Sequence, residues 1–158
     1  MLRVIAFATV LLGAPSIVLA QTKISGTTQC GKPDPQHLVQ AGDQANHTFA
    51  IMKFKCSWQK PLEIAGSQIK EDELTVFEEA RGTAGTDRSY VVGTMSNGDK
   101  VFVRSQGKAV LKDGVAQSTA GTWTYVGGTG KFKSIKGKGT YKGNGTTTVV
   151  KGEYQIGK

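Results

Sequence analysis

The sequence GTWTYVGGTGKFKSIKGKGTY, residues 121–141, carries most of the fold information in this chain. Residues 122–126 are β-branched or aromatic, which predicts a strand. Gly127, Gly128 and Gly130 follow directly and end that strand, because glycine adopts backbone angles that are closed to other residues. We therefore expect a sharp corner in which Gly128 and Gly130 are structural.

The residues after this corner predict a plug and a second strand. Residues 131–135 are enough for a single helical turn, which would place Phe132 and Ile135 on the same side. Gly137 and Gly139 then alternate with larger residues, so one face of the next strand has almost no side chains, as at a crowded barrel wall. The pattern predicts a small β-barrel whose bottom is closed by Phe132 and Ile135.

The corner Gly127-Gly128-Thr129-Gly130-Lys131-Phe132, followed by Gly137-Lys138-Gly139, resembles the signature of the allene oxide cyclase and dirigent barrels. The whole chain is also similar to small secreted bacterial proteins of uncharacterised function that share this corner. The resemblance implies a barrel fold and, by analogy, a trimer. It implies no catalytic position, because the matching residues are the structural ones.

The rest of the chain predicts more strands joined by short turns. Asn97-Gly98 is a strong hairpin signal, and no segment predicts a long helix. We expect an all-β fold, a single eight-stranded antiparallel closed barrel that occupies residues 21–158. Eight strands leave an interior that is either filled or holds one small ligand. The predicted strands are residues 23–29, 47–58, 70–81, 89–95, 101–111, 115–126, 136–142 and 146–156.

Three segments have weaker patterns. Residues 36–45 are polar and unpatterned, which predicts a loop or one helical turn. Residues 70–81 begin with an acidic run of helical propensity, but their later alternation favours a strand. Residues 82–86 contain two glycines and predict a flexible turn.

The first twenty residues predict a secretory signal peptide, residues 1–20. Arg3 supplies the positive charge, residues 4–12 are apolar, and Ala20 ends a small-residue cleavage site, so the mature chain would begin at Gln21. The apolar run is shorter than the ~20 residues that a spanning helix needs, which argues against an uncleaved anchor. We expect an exported protein, secreted or periplasmic, with no membrane span in the mature chain.

Cysteine and histidine content argues for a disulfide and against a metal site. Cys30 and Cys56 are an even pair in a chain predicted to be exported, which predicts a disulfide between them. His37 and His47 have no further histidine or cysteine at ligand spacing, so we expect no metal. The glycine-rich corner has Phe132 where a phosphate loop needs Ser or Thr, and no cofactor is predicted.

Charge is distributed unevenly along the chain. Residues 21–99 hold 8 Lys/Arg and 10 Asp/Glu, whereas residues 100–158 hold 11 and 2. Such asymmetry can mark a nucleic-acid face or an anionic surface. The lysines mostly alternate with apolar or glycine residues, which is typical of a solvated outer barrel face. We therefore expect no specific nucleic acid as a partner, and at most loose attraction to anionic lipid or polysaccharide.

The candidate site is the barrel interior. Residues 101, 103 and 105 form one face of their strand and residues 102, 104 and 106 the other, and Lys100 and Lys108 favour the second face, with Arg104, as the outer one. Buried tyrosine hydroxyls need hydrogen-bond partners, for which Asp87 is a further candidate. The aromatic side chains either fill the core or line a pocket. The candidate ligand-binding residues are Trp123, Tyr125, Tyr141 and Tyr154, with Tyr90, Glu78 and Arg104 as polar partners.

The strand at residues 47–58 is apolar on both faces, which predicts that both are covered. Phe49 and Ile51 share one face, and Met52 and Phe54 share the other. One face would line the barrel and the other would contact another subunit, so we expect a homo-oligomer.

Three functions fit these patterns, and no catalytic motif selects among them. The first is a non-catalytic barrel that binds a small hydrophobic or aromatic molecule. The second, which the resemblance suggests, is an allene-oxide-cyclase-like isomerase or a dirigent-like guide that positions a reactive intermediate. The third is a structural envelope protein with a filled core.

Overall fold

A computed structural model describes residues 21–157 of the chain, and the predicted signal peptide lies outside these described residues. Nearly all regular structure is β. A single 3₁₀ turn, Gly130–Phe132, interrupts the strands. The strands are β1 (Thr22–Cys30), β2 (Gln36–Gln40), β3 (His47–Lys60), β4 (Glu63–Ile64), β5 (Ser67–Arg81), β6 (Ala84–Met95), β7 (Lys100–Lys112), β8 (Val115–Gly128), β9 (Ile135–Asn144) and β10 (Thr147–Ile156).

Eight of these strands close into an antiparallel barrel, which confirms the predicted fold class. Strands β5 to β10 follow one another around the wall, and β10 pairs with β1. The ring is completed by β3, which pairs with β1 on one side and with β5 on the other. The ring strands therefore follow one another in chain order, and the barrel is a meander that closes where the first strand pairs with the last.

Two short strands lie outside the ring. β4 pairs only with the start of β5, and β2 continues along the edge of β3 beyond the end of β1. The prediction of a loop or helical turn over residues 36–45 is wrong for its first half, because β2 forms there by pairing with β3. Residues 82–86 form a turn only at their start, since β6 begins at Ala84. The strand prediction for residues 70–81 is confirmed.

The glycine-rich corner closes one end of the barrel as predicted. Phe132 is completely buried there. Gly130 has φ +51°, and a Cβ at this position would overlap the carboxylate of Asp99. A Cβ on Gly128 would lie 2.8 Å from that of Phe132. Both glycines are structural because the corner has no room for side chains.

A continuous apolar core fills the barrel behind this corner. Glycines on β9 and β10 make space for the aromatic residues of β8: Gly139 and Gly152 face Trp123, and Gly137 faces Tyr125. This is the bare strand face that the sequence predicts. The buried residues of the core are Ile24, Leu62, Ile64, Ile69, Met95, Val101, Trp123, Tyr125, Phe132, Ile135 and Tyr154.

The disulfide prediction is confirmed. Cys30 and Cys56 are direct cross-strand partners of β1 and β3 and are bonded to each other. Such bonds are typical of proteins in oxidising compartments. Within residues 21–157, no helix combines the length and the apolar character needed to cross a membrane.

Candidate ligand site in the barrel interior

Alternation along β5 places four acidic or apolar side chains in a line down the barrel. Asp72, Leu74, Val76 and Glu78 face inward, because their cross-strand partners on β3 and β6 belong to the inner faces of those strands. Asp72 lies towards the glycine corner and Glu78 towards the opposite end. The interior therefore has a floor near Asp72 and an upper level at Glu78.

The predicted aromatic residues form the floor. Trp123 and Tyr125 are buried and pack edge to face, with ring centroids 5.0 Å apart. The indole of Trp123 donates a hydrogen bond to the carbonyl of Thr140 over 3.3 Å. The hydroxyl of Tyr154 accepts one from the backbone N–H of Ala65 over 2.8 Å. These hydrogen bonds fix the rings in place, so this part of the interior is a packed base.

Above the floor, the inward-facing side chains differ in burial. Some are half-buried, and because the wall around them is closed by paired strands, water reaches them through the interior itself. Others are buried, and Ala80, Ala109 and Leu111 form a second, small apolar cluster there. The hydroxyls of Ser89 and Ser105 form a cross-strand hydrogen bond of 2.5 Å. We call this upper part of the interior the chamber, and it combines half-buried apolar side chains with a few polar groups. Its half-buried apolar residues include Met52, Phe54, Leu74, Val76 and Val91.

Tyr141 and two carboxyl groups make up the polar part of this chamber. The Tyr141 ring occupies space left by Gly107 and Gly121, where any Cβ would overlap it. Its hydroxyl donates to the Asp87 carboxylate at 3.3 and 3.4 Å. Burial, followed by the nearby Asp87 charge, raises the pKa of Tyr141, so this hydroxyl stays protonated and remains a donor.

Glu78 and Asp87 are direct cross-strand partners on the inner face. Burial raises the pKa of both carboxyls, and the charge of Asp87 raises that of Glu78 further. The Tyr141 hydrogen bond partly offsets this effect at Asp87. Neither carboxyl forms a salt bridge with any residue in the described part of the chain. The chamber therefore has acceptor groups with no cationic partner from the chain itself.

Asp72, at the level of the floor, is the most perturbed carboxyl in the interior. Burial raises its pKa to about 7, with a smaller contribution from Glu71. The Trp58 indole lies close enough to oppose this rise, but it does not reach hydrogen-bonding geometry. Trp58 Nε1 and Asp72 Oδ1 are thus both buried without a partner. Carboxyls with pKa values raised in this way are found often at functional sites, which makes Asp72 a candidate functional residue.

The structure brings together five of the seven predicted ligand-binding residues. Trp123, Tyr125, Tyr141, Tyr154 and Glu78 all face the interior. The interior placement of Tyr90 and Arg104 is wrong. These two residues are direct cross-strand partners on the outer wall. The Tyr90 ring stacks there on the Phe102 ring, with ring centroids 6.3 Å apart, so a neighbouring aromatic side chain partly covers it outside the barrel. The outward orientation of Arg104 agrees with its strand pattern.

Two functional candidates depend on information that local patterns carry poorly. Asp72 lies in the acidic run Glu71-Asp72-Glu73, which is typical of an exposed segment. A bulge between Ile69 and Glu71 shifts the alternation of the strand. The inward-facing residue that follows Ile69 is therefore Asp72, whereas regular alternation would have placed Glu71 there. The register of Leu74, Val76 and Glu78 was the one signal that pointed to Asp72.

His47 belongs to a separate ion-pair network outside the barrel. Its Nδ1 lies 2.5 Å from Asp43 and its Nε2 lies 3.1 Å from Glu79. Each ring nitrogen therefore faces a carboxylate. The pKa values of Asp43 and Glu79 are lowered, by the His47 hydrogen bond at Asp43 and by those of Arg81 and then His47 at Glu79. Residues 21–157 contain no group of His, Cys, Asp and Glu arranged to hold a metal.

No protein-family model matches the chain, and a search of curated proteins found no similar sequence.

Proposed function

We propose that this protein is an exported barrel that binds a small hydrophobic or aromatic molecule in its upper chamber without reacting with it. The observation that carries the proposal is the half-buried state of the inward-facing apolar side chains. A ligand of this class would cover them and gain about 25 cal/mol for each Å² of apolar surface removed from water. An apolar wall with a few placed polar groups is the usual composition of a small-molecule pocket.

The polar groups of the chamber favour a ligand with at least one hydrogen-bond donor. Glu78, Asp87 and the serine pair provide acceptors at the upper level, and Tyr141 is already committed to Asp87. The predicted signal peptide at residues 1–20 and the disulfide support export. The site would then meet ligands in the periplasm or outside the cell.

The experiment is a matched pair of substitutions on β5. Val76→Phe puts bulk into the chamber, whereas Thr75→Phe adds the same ring to the outer face of the adjacent residue. The neutral aromatic probe N-phenyl-1-naphthylamine reports binding by its fluorescence. We expect the parent and Thr75→Phe to bind it alike and Val76→Phe to bind at least about tenfold more weakly, equal to about 1.4 kcal/mol.

Stability of the same variants separates an open chamber from a filled core. An open chamber accepts the larger ring, so Val76→Phe should unfold at nearly the parent denaturant midpoint. In a filled core the same change would cost about 1–3 kcal/mol through overpacking. Strong destabilisation, together with no probe binding by the parent, would favour the structural-protein alternative.

A second candidate, an isomerase or cyclase like allene oxide cyclase, is favoured by Asp72. A buried carboxyl with a pKa of about 7 and an unpartnered oxygen is suited to proton transfer or to holding a reactive oxygen. Allene oxides also cyclise spontaneously to racemic cyclopentenones. We expect an enantiomeric excess with the parent that is lost with Asp72→Asn, measured by chiral chromatography. A racemic product from the parent would contradict this candidate.

We also propose that the chain forms a homo-oligomer, a trimer by the resemblance. The outer face of β2, β3 and β5 presents Val39, Phe49, Ile51 and Phe77 side by side, and Ile51 is 49% exposed. Ile51→Lys should shift the chain to monomer in equilibrium sedimentation. Val126→Lys, at a similarly exposed valine elsewhere, should leave its mass unchanged. A parent that is monomeric at every concentration would contradict the proposal.

A further inference from the structure

The basic half of the chain forms one continuous outer wall. Strands β7, β8 and β9 are direct neighbours, and their outward residues are exposed. The salt bridges of residues 21–157 all involve Lys53, Arg81 or His47, on β3 and β5. None of the cations on β7–β9 takes part in these salt bridges. Within the same residues, the one carboxylate directly opposite any of these cations is Glu153 on β10, the cross-strand partner of Lys138.

Four of these cations occupy the corners of a rectangle, which we call the cation frame. Arg104 and Lys108 lie on β7, and Lys138 and Lys142 lie on β9, with β8 between them. Arg104 and Lys138 are both partners of Thr124, and Lys108 and Lys142 are both partners of Ala120. Strand spacing and rise place the corners roughly 10 Å apart across the sheet and about 13 Å apart along it.

The surface inside the cation frame is flat and rich in hydrogen-bonding groups. Its middle row is Gln106, Thr122 and Thr140, which are consecutive cross-strand partners and all exposed. At one end the small side chain of Ala120 leaves a shallow groove between Lys108 and Lys142. The groove encloses about 650 Å³ and has a mainly apolar floor.

We propose that the cation frame binds a linear anionic polysaccharide, with carboxylate or sulfate groups on the corner cations and sugar hydroxyls on the middle row. Charge complementarity carries the proposal, because four cations that form no salt bridge within residues 21–157 surround neutral hydroxyl and amide groups. The site is separate from the interior chamber, so the two proposals stand or fall independently. The wall between them is the sheet itself.

The surface fits other polyanions less well. Single-stranded nucleic acid is held by aromatic side chains on which bases stack, and the frame encloses none. The neighbouring aromatic residues, Phe102 on β7 and Tyr90 on β6, lie outside the frame and stack on each other. A membrane-binding face needs large apolar side chains that insert between lipids, whereas the middle row is polar.

The test uses two quadruple variants of equal charge. The frame variant is Arg104→Gln, Lys108→Gln, Lys138→Gln and Lys142→Gln. The control variant replaces four exposed lysines on other surfaces, Lys32, Lys55, Lys60 and Lys70, by glutamine. Binding of a fluorescein-labelled polyuronate oligosaccharide is followed by anisotropy at several salt concentrations, with neutral dextran as the uncharged competitor.

We expect the frame variant to bind the polyuronate at least about tenfold more weakly than the parent. The slope of log affinity against log salt concentration should fall in magnitude by about three, because roughly four counterions are no longer released. The control variant should stay within about twofold of the parent, and Val76→Phe should bind normally. If a quadruple variant unfolds, two double variants repeat the comparison. The frame pair is Lys138→Gln with Lys142→Gln, and the control pair is Lys55→Gln with Lys70→Gln. Equal losses in frame and control variants would overturn the proposal. So would tighter binding of single-stranded DNA or of phosphatidylglycerol vesicles than of the polyuronate.

Discussion

The two ends of the barrel differ in how their interior is filled. At the glycine corner, Phe132 and Ile135 fill the interior and bare glycines receive the rings of β8. At the other end, the interior contains half-buried carboxyls, a tyrosine and a serine pair beside the small apolar cluster of Ala80, Ala109 and Leu111. The same closed wall surrounds both ends. The difference teaches that the strand count fixes the width of this interior, while the residues on the inward faces decide whether it is core or chamber.

The largest expected effect is at the closed end. Phe132→Ala should lower the free energy of unfolding by about 3–5 kcal/mol, because it leaves a cavity in a fully packed site. The neighbouring Lys131→Ala, at an exposed side chain, should change it by no more than about 0.5 kcal/mol. Urea unfolding of the two variants tests this. If Phe132→Ala unfolds like the parent, the corner does not close the barrel and the comparison fails.

Asp72 tests how dry the boundary between the two halves is. Its folded pKa of about 7 lies above the ordinary 3.8, so the folded state binds the proton more tightly. Its contribution favours folding at low pH and is lost as pH rises from about 4 to about 7, at up to ~1.4 kcal/mol per pH unit. Asp72→Asn should remove that part of the slope when stability is measured at several pH values, and subtracting the variant curve from the parent curve removes the other titrating groups. Parallel curves would show that Asp72 is hydrated.

Glycine substitutions at the two ends should change stability by intermediate amounts, and they sharpen the comparison. A Cβ on Gly139 would overlap both the Trp123 ring and the Lys151 carbonyl, so Gly139→Ala should cost about 1–3 kcal/mol. At the other end, a Cβ on Gly85 would make ordinary contacts of 3.4 Å or more. Gly85→Ala should be neutral, or stabilising by up to ~1 kcal/mol through lower entropy of the unfolded chain. Thermal melts of the pair would contradict us if the order were reversed.

The smallest expected effect is at Tyr141. Tyr141→Phe removes one hydrogen bond to a half-buried carboxylate and should cost about 0.5–1.5 kcal/mol. Because that bond lowers the pKa of Asp87, the variant should also titrate Asp87 at a higher pH. Carboxyl carbon shifts measured by NMR during a pH titration report this directly. A lower pKa for Asp87 in the variant would show that the hydroxyl does not act as its donor.

Sequence patterns predicted the closed end better than the open one. The glycines around Phe132 and on β9 have no other use than close packing, so their spacing alone predicts where the rings lie. Charged residues on the opposite face of β9 and β10 fixed the inward orientation of Tyr141 and Tyr154. Both signals are local, and local signals survive without knowledge of the partner strand.

The errors occurred where pairing with a distant strand decides the outcome. β2 has no pattern of its own and is a strand because β3 offers it an edge. Tyr90 is aromatic, as most of the predicted interior residues are, but its pairing with Arg104 places its side chain on the outer face. Asp72 shares the inward face with Ile69 because of a bulge that the neighbouring residues do not predict. The polar centre of the chamber was therefore only partly predictable, although Glu78, Asp87 and Tyr141 were all among the candidates.

The position of β1 between β10 and β3 has a consequence for the order of events during folding. Thr22 pairs with Tyr154, so the first strand to be synthesised completes its pairing only after the last one is made. Until β10 arrives, β1 and β9 both have unpaired edges that can pair with other chains. Contacts this distant in sequence also form slowly. The barrel therefore closes only after synthesis of its last strand.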